Sequence, residues 1–333
     1  MDQFWKDRPV LITGASGFVA AHIARRLLDR GALVQCLLRN PEEPGALALL
    51  DLHHRVRIVE GHVEDLPRLQ NLLNEHRIDA VFHLAAQSIV GVASASPLAT
   101  FEANIRGTYR LLEACRCTAS VRRIVVASSE KAYGSPRDPL STEQHPLAGL
   151  SPYDASKACA DIICRSFAYS CQLPVAVVRS ANIYGPGDLN LSRIVPGAID
   201  SLLRHQPPVI RGDGTPVREF IHVDDVARGY ILLAEQIGES RGEAFNIGAG
   251  SPISIIDLVN LLIRIAGLEG QIRPAILQPP GRPSRTDLLS ISSELIRHRL
   301  GWKPLIALDD GLHLTFEWYR QHQHLLPGNH PRH

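Results

Sequence analysis

The sequence has 333 residues, of which 45% are hydrophobic and 21% are charged, and its formal net charge is +1. This composition is typical of a globular protein, and the near-neutral charge gives no attraction for nucleic acid. No apolar run is long enough to cross a bilayer, and the six cysteines contain no CxxC pair. We therefore expect a cytoplasmic protein with reduced thiols, with no nucleic-acid or membrane partner and no bound metal.

Short apolar segments alternate with helical patterns along the first 179 residues. The apolar segments lack the alternation of a half-exposed strand, which favours a parallel sheet covered by helices on both faces. The sequence thus predicts an α/β fold with a Rossmann-like, doubly wound parallel sheet. The predicted strands are 10–12, 33–38, 56–60, 80–85, 123–127 and 175–179, and the predicted helices follow residue 17 and lie near 66–76, 98–117 and 152–171.

The pattern changes after residue 179. Glycine and proline cluster at 185–187, 207–216 and 279–283, and such clusters interrupt regular elements. We predict a first domain of residues 1–179 with about 223–249. A smaller mixed lobe is predicted from about 180–222 and 250–333.

A glycine turn follows the first predicted strand and precedes a helix. Gly14, Gly17 and Ala20 have the spacing G-x-x-G-x-x-A. Glycines at such a turn let the backbone approach a pyrophosphate, and the helix N-terminus supplies N–H donors. The sequence predicts a dinucleotide site that includes Gly14, Ser16, Gly17, Phe18 and Val19.

The second predicted strand ends in Leu38-Arg39-Asn40, without the acidic residue that commonly binds the ribose 2′-hydroxyl of NAD. An arginine at this place can instead bind a 2′-phosphate. The cofactor is therefore expected to be tightly bound NAD or NADP, with Arg39 favouring NADP slightly.

Tyr153 and Lys157 lie four residues apart at the start of a predicted helix, so they share a face. Such a pair rarely arises by chance, because the chain has only four lysines. An ammonium beside a phenol is expected to lower the phenol pKa. A phenolate can then remove a proton from a sugar hydroxyl while the sugar is oxidised by a nicotinamide.

Motifs along nearly the whole chain resemble those of the extended short-chain dehydrogenase/reductase family, the NAD-dependent epimerases and dehydratases. The resemblance implies that the first domain holds NAD(P) and that the smaller lobe holds a nucleotide-sugar. It also implies cofactor contacts from His62, Val63, Leu84, Ala85, Ala86 and Asn104, although Gly61-His62 departs from the Gly-Asp usual there. The motifs are 13–19, 83–86, 104–108, 128–129, 153–157 and 218–225.

An acid and a base follow the fifth predicted strand, as Ser128-Ser129-Glu130-Lys131. Ser129 is expected to orient the sugar 4-hydroxyl beside Tyr153. Oxidation at C4 makes the C5 proton acidic, so Lys131 could remove it while Glu130 protonates the leaving C6 hydroxyl. The pair resembles nucleotide-sugar 4,6-dehydratases, most of all the CDP-glucose type, which has Asp-Lys here, whereas dTDP-glucose dehydratases have Asp-Glu.

The resemblance also supplies candidate substrate contacts and a homodimer. We expect a 4,6-dehydratase that converts a nucleoside-diphosphate hexose to the 4-keto-6-deoxy sugar. A nucleotide-sugar 4-epimerase is the alternative, and a non-enzymatic NAD(P)-binding regulator is a remote one. Two copies of the chain are expected to pair through helices 98–117 and 152–171. The expected substrate contacts are Ser88, Asn182, Arg193, Ile194, Val195, Arg218 and Arg285.

Overall fold

A computed structural model describes residues 3–135, 138, 140–277 and 288–326. The strands are β1 Pro9–Thr13, β2 Leu33–Leu38, β3 Arg57–Glu60, β4 Ala80–His83, β5 Arg123–Ala127, β6 Leu140–Ser141, β7 Val175–Ser180, β8 Asn182–Tyr184, β9 Val209–Arg211, β10 Val217–His222, β11 Ala244–Ile247, β12 Pro252–Ser254, β13 Ala275–Leu277 and β14 Leu288–Ile291.

The helices are given in the same chain order. They are α1 Phe18–Leu28, α2 Ala46–Leu49, α3 Leu66–Glu75, α4 Val90–Ala95, α5 Pro97–Phe101, α6 Gly107–Arg116, α7 Pro152–Cys171, α8 Ile194–Leu203, α9 Val223–Glu235, α10 Ile237–Ser240, α11 Ile255–Ile265, α12 Glu294–Leu300 and α13 Leu308–Gln321. A π-helical turn spans Glu102–Arg106, and 3₁₀ turns span Glu130–Tyr133 and Gln323–Leu325.

A seven-stranded parallel sheet has the order β11-β7-β5-β4-β1-β2-β3. Helices α1 and α9 cover one face, and α3, α6 and α7 cover the other, each over an apolar core layer. Burial on both faces explains why the strands carry continuous apolar runs. The predicted Rossmann-like fold is confirmed, and its six predicted strands match β1 to β5 and β7 to within a few residues.

The helix predicted near 98–117 is corrected by the structure. Three segments stand there: α5, the π-helical turn and α6. The π turn widens the helix at Asn104, whose buried side chain binds neighbouring segments. A local widening of this kind is common at functional sites and leaves little trace in an apolar pattern.

A smaller set of strands lies beyond the large sheet. Strands β12, β10, β14 and β6 form one sheet with β8 paired to β10, and β9 pairs with β13. Helices α8, α11 and α13 pack around an apolar cluster of their own. Strand β11 returns to the large sheet beside β7. Among the helices described, none has the length and apolarity needed to span a membrane.

Candidate active site

The strands β1, β4, β5 and β7 are neighbours, and the residues that follow them meet at one edge of the large sheet. The order of the strands reverses between β1 and β4, and ligands of such sheets bind outside the carboxyl ends at this point. This edge gathers the glycine turn, the 83–88 segment, the turn after β5 and the start of α7.

The glycine turn after β1 can hold a dinucleotide phosphate. Gly14 has a φ of +70°, and a Cβ there would lie 2.6 Å from the backbone nitrogen of Ala85, so only glycine fits without displacing backbone. Gly17 begins α1 without a side-chain cap, which leaves N–H groups of the first turn available to an anion. Ser16 and Gly17 are exposed, whereas Phe18 is buried and Val19 partly buried. These residues fit the pyrophosphate of NAD(P).

The residues expected near the adenosine lie at the ends of β2 and β3. Arg39 is exposed directly after β2. His62 is also exposed, and its Nδ1 lies 3.9 Å from a Glu64 oxygen. Val63 is buried, and its side chain would be the nearest neighbour of any Cβ added at Gly107. The structure therefore leaves Arg39 and His62 open to solvent and places Val63 in the core.

The segment after β4 is tied to the rest of the edge by Asn104. Its side-chain oxygen accepts from the Gln87 N–H at 2.6 Å, and its amide nitrogen donates to Gln87 O and to Ser156 Oγ. This buried side chain therefore positions the 83–88 segment against the start of α7. Leu84, Ala85 and Ala86 are partly buried beside the glycine turn, and Ser88 is exposed.

Tyr153 and Lys157 occupy the first turns of α7, which begins at the Ser151 cap. The Lys157 Nζ donates to the Ala127 carbonyl at 2.9 Å. Burial of this ammonium lowers the pKa of Lys157 to about 8. The side chain is thus held at the end of β5, next to the turn that carries Ser129.

The pKa of Tyr153 differs from the sequence expectation. Burial raises the pKa of the phenol, while a hydrogen bond with Ser129 and the Arg193 charge lower it. The sequence predicted a lowered pKa for this phenol, whereas its burial in the folded protein gives a raised one.

The acid–base turn, Ser129–Tyr133, follows β5 as a 3₁₀ turn capped by Ser129, whose Oγ accepts from the Lys131 N–H. Glu130 is 6% exposed, and one of its oxygens accepts from Asn182 Nδ2 at 2.9 Å. The other oxygen, Oε2, has no hydrogen-bond partner among the described residues. Burial raises the pKa of Glu130 to about 7, against the opposing effect of the Lys131 charge.

The substrate contacts expected from the sequence are placed differently by the structure. The Asn182 amide nitrogen is bound to Glu130 and to the Glu219 carbonyl, so it positions the acid. Val195 lies in the core of the small lobe, and Ile194 is partly buried. Arg285 lies outside the described residues.

Two of the expected arginines do face this edge. The Arg193 guanidinium lies 5.6 Å from the centre of the Phe18 ring and donates to Asp188. Arg218 influences Glu130 electrostatically and donates to the Val217 carbonyl. Both cations therefore lie beside the glycine turn and the acid–base turn, where a substrate diphosphate would need them.

Sequence reasoning missed a buried set that holds the acid–base turn from behind. Asp161 binds the Arg179 guanidinium with both oxygens, at 2.8 Å each. Arg179 also donates to the Tyr133 hydroxyl, which donates to Asn246 Oδ1. We call Asp161, Arg179, Tyr133 and Asn246 the anchoring network. Its one sequence signal is an arginine in the otherwise apolar strand β7, because a buried cation requires a partner.

A second missed feature is a group of buried polar atoms without partners. Ser128 Oγ, Glu130 Oε2 and His222 Nε2 are buried at this edge, and none has a hydrogen-bond partner in the part of the chain described. Burial lowers the pKa of His222 to about 4. Because buried polar atoms are nearly always paired in native proteins, such atoms indicate partners supplied by a ligand or by ordered water.

The family model described as the NAD dependent epimerase/dehydratase family matches residues 10–248. The chain belongs to this family. A curated relative named dTDP-glucose 4,6-dehydratase, from Streptomyces griseus, is 33% identical over 320 residues, covering 94% of each chain. Curated relatives from Homo sapiens and Escherichia coli carry similar names, at 27% and 32% identity.

Solved structures with the same fold include both dehydratases and epimerases. DesIV of Streptomyces venezuelae, described as a dTDP-glucose 4,6-dehydratase with NAD bound, has a TM-score of 0.83 and 31% identity, covering 96% of this chain and 99% of its own. A UDP-glucose 4-epimerase of Thermotoga maritima has a TM-score of 0.84 and 29% identity, with coverages of 95% and 99%. The shared scaffold thus serves dehydratases and epimerases, and the site must distinguish them.

Proposed function

We propose that this protein is a nucleotide-sugar 4,6-dehydratase. It converts a nucleoside-diphosphate hexose to the 4-keto-6-deoxy sugar with loss of water. The observation that carries the proposal is the state of Glu130, which is buried, oriented by Asn182 through one oxygen and unpartnered at the other. Its raised pKa of about 7 keeps a proton available near neutral pH. An epimerase needs no acid at this place.

The residues would act in order on one sugar. Tyr153, oriented by Ser129, takes the proton of the 4-hydroxyl as C4 becomes a ketone. Lys131 then takes the C5 proton, which the new ketone has made acidic, and Glu130 Oε2 gives its proton to the leaving C6 hydroxyl, so that water departs. When bound, the nicotinamide would supply the two-electron oxidation of C4 and the later reduction of C6. As C6 is reduced, Lys131 would return its proton to C5, which completes the 4-keto-6-deoxy sugar.

The substrate and cofactor would be held by the groups that flank the turn. Arg193 and Arg218 would neutralise the diphosphate, because a guanidinium can bind two phosphate oxygens at once. The backbone at Gly14 and Gly17 would hold the cofactor pyrophosphate. Lys157, anchored on the Ala127 carbonyl, would place a cation next to the reacting phenol.

The test is an incubation of the purified protein with CDP-, GDP-, UDP- and dTDP-hexoses, each with NAD or NADP, followed by mass spectrometry. Loss of the mass of one water from one substrate supports the dehydratase and identifies the base. Turnover without a change in mass, to a new stereoisomer, contradicts it.

A nucleotide-sugar 4-epimerase is the second candidate. The specific observation in its favour is the Ser129, Tyr153 and Lys157 set, which suffices for reversible oxidation at C4, together with the similarity to the Thermotoga epimerase. Replacing Glu130 and Lys131 by alanine separates the two functions. An epimerase retains turnover after this double change, whereas a dehydratase loses it.

The choice between NAD and NADP depends on the end of β2. The family description and the NAD-bound DesIV structure favour NAD, while the exposed Arg39 favours a 2′-phosphate. We propose that both bind and that Arg39 gives NADP its affinity. The variant Arg39→Ala should then raise the Kd for NADP at least tenfold and leave that for NAD unchanged; equal changes contradict this.

We also propose a cytoplasmic homodimer. Helices α5 and α7, which pack against each other, present large apolar side chains to solvent, with Leu98, Ile162 and Tyr169 at 74%, 55% and 85% exposure. Exposed apolar groups grouped on neighbouring helices favour a protein partner. Light scattering on the purified protein should give twice the chain mass, and Ile162→Asp should give the mass of one chain. A monomer in both cases contradicts the dimer.

A further inference from the structure

A pocket of about 470 Å³ lies at the opposite edge of the large sheet, where β1, β4 and β5 begin. Because all the strands are parallel, this edge is remote from the carboxyl ends that carry the candidate active site. The pocket volume falls in the range of small-molecule sites. Its lining residues are Arg8, Arg77, Asp79, Ala119, Ser120 and Arg122.

The pocket concentrates positive charge. Arg8 and Arg123 both donate to the single carboxylate, Asp79, and both guanidiniums pack on the ring of Phe4, at 4.5 and 5.0 Å from its centre. Burial lowers the pKa of Arg123, and the charges of Arg8 and Arg122 act in the same direction. Two of the four arginines at this pocket thus bind its one carboxylate.

Helix dipoles neutralise only part of this charge. Helices α3 and α6 both end at this edge, and each C-terminus carries roughly half a negative charge. Asp79 is the one acidic residue that lines the pocket, and it is bound by Arg8 and Arg123. The guanidiniums of Arg77 and Arg122 are therefore available to an anion.

Donors in the pocket also lack partners. Arg77 and Arg122 are exposed, and their side chains make no hydrogen bond or ion pair with the described part of the chain. Ser120 Oγ and Arg123 Nε are buried without a partner there. Buried donors of this kind are uncommon unless a ligand or water completes them.

We propose that this pocket binds a small phosphoryl-bearing anion, of the size of pyrophosphate or a nucleoside diphosphate, at a second site separate from the reaction centre. Guanidinium forks match phosphate oxygens in pairs, and a serine hydroxyl supplies a further donor. Phe4 and Asp79 hold two of the guanidiniums in place before the ligand arrives, which lowers the ordering cost of binding.

The test is a calorimetric titration of the NAD-saturated protein with inorganic pyrophosphate, using Arg77→Gln/Arg122→Gln as the pocket variant. The matched control is Arg297→Gln/Arg320→Gln, which removes two exposed arginines paired with glutamates on their own helices. We expect the Kd of one pyrophosphate per chain to rise at least tenfold in the pocket variant and less than twofold in the control. Dehydratase turnover should stay unchanged in both variants.

A second variant keeps all the arginines. Ser120→Asp introduces a carboxylate into the pocket and should also weaken pyrophosphate binding at least tenfold. A titration with UDP then distinguishes the two sources of phosphate. If the pocket variant loses one UDP site, the ligand of the pocket is a nucleotide. If the UDP isotherm is unchanged, the ligand is an anion without a nucleoside. Pyrophosphate binding that is absent from the natural chain, or equal in the pocket variant and the control, overturns the proposal.

Discussion

Two buried carboxylates on either side of the acid–base turn have opposite environments. Behind the turn, Asp161 uses both oxygens on the Arg179 guanidinium, and Arg179 continues to Tyr133. In front of it, Glu130 has one oxygen on Asn182 and one without a partner. A fully paired carboxylate contributes rigidity, because no ligand can bind it without breaking a contact. A half-paired one is costly to bury, so its presence indicates a ligand or a reaction.

This comparison predicts that substitutions on the Glu130 side of the turn affect turnover and that substitutions on the Asp161 side affect stability.

Tyr153→Phe should give the largest effect, because it removes the proton acceptor for the 4-hydroxyl. We expect turnover to fall by about 10²–10⁴-fold, with the thermal unfolding temperature nearly unchanged. Steady-state kinetics and calorimetry measure the two quantities. Tyr169→Phe, an exposed tyrosine on the same helix, is the control and should match the natural chain.

Arg179→Leu tests the opposite side. It leaves the Asp161 carboxylate buried without its partner, which should lower the free energy of unfolding by about 3–5 kcal/mol. Denaturant unfolding measures the change. The control Arg165→Leu alters an exposed arginine of α7 and should change it by less than about 0.5 kcal/mol. Equal losses in the two variants would contradict a stabilising role for the anchoring network.

The pH dependence of stability distinguishes Glu130 from an ordinary surface acid. Its folded pKa of about 7 lies above the ordinary value of 4.5, so the folded state binds the proton more tightly. The associated stability is present below pH 4.5 and is lost as the pH rises through about 7. Over this range the natural chain should lose up to about 3 kcal/mol relative to Glu130→Gln. Parallel pH curves for the two proteins contradict the raised pKa.

Tyr133→Phe gives the smallest expected effect and sharpens the boundary between the two sides. It removes the hydroxyl that joins Arg179 to Asn246 and keeps the ring. The free energy of unfolding should fall by about 1–3 kcal/mol. Turnover should fall less than tenfold, since the Ala132 carbonyl still accepts from Ala148 and Gly149 and holds the turn. A loss of turnover as large as that of Tyr153→Phe would place Tyr133 in the chemistry itself.

Much of the fold followed from the sequence. Apolar runs without alternation predicted the parallel sheet, and the glycine spacing located the turn whose Gly14 has no room for a side chain. The Glu130 and Lys131 pair was also visible, because its place follows a predicted strand. These features are local in the chain, so their patterns can be read directly.

The features that the sequence did not reveal depend on contacts between distant segments. Asn182 was expected at a phosphate but binds Glu130, 52 residues away. Asn104 was expected at the cofactor but joins Gln87 to Ser156. The raised pKa of Tyr153 depends on the burial of its phenol in the folded chain. None of these properties has a periodicity or a spacing from which it could be predicted.

The most direct test of the central claim is the product formed by the variant Glu130→Gln. It is followed by mass spectrometry under single-turnover conditions, with the nucleotide-hexose that the incubation of the natural chain identifies. Glutamine keeps the shape and the acceptor for Asn182 but cannot give up a proton as an acid. We predict that the variant still oxidises the sugar at C4, giving a product lighter by two hydrogens, while the loss of water is suppressed at least a hundredfold. Loss of water at the rate of the natural chain would contradict Glu130 as the acid and, with it, the account of this site.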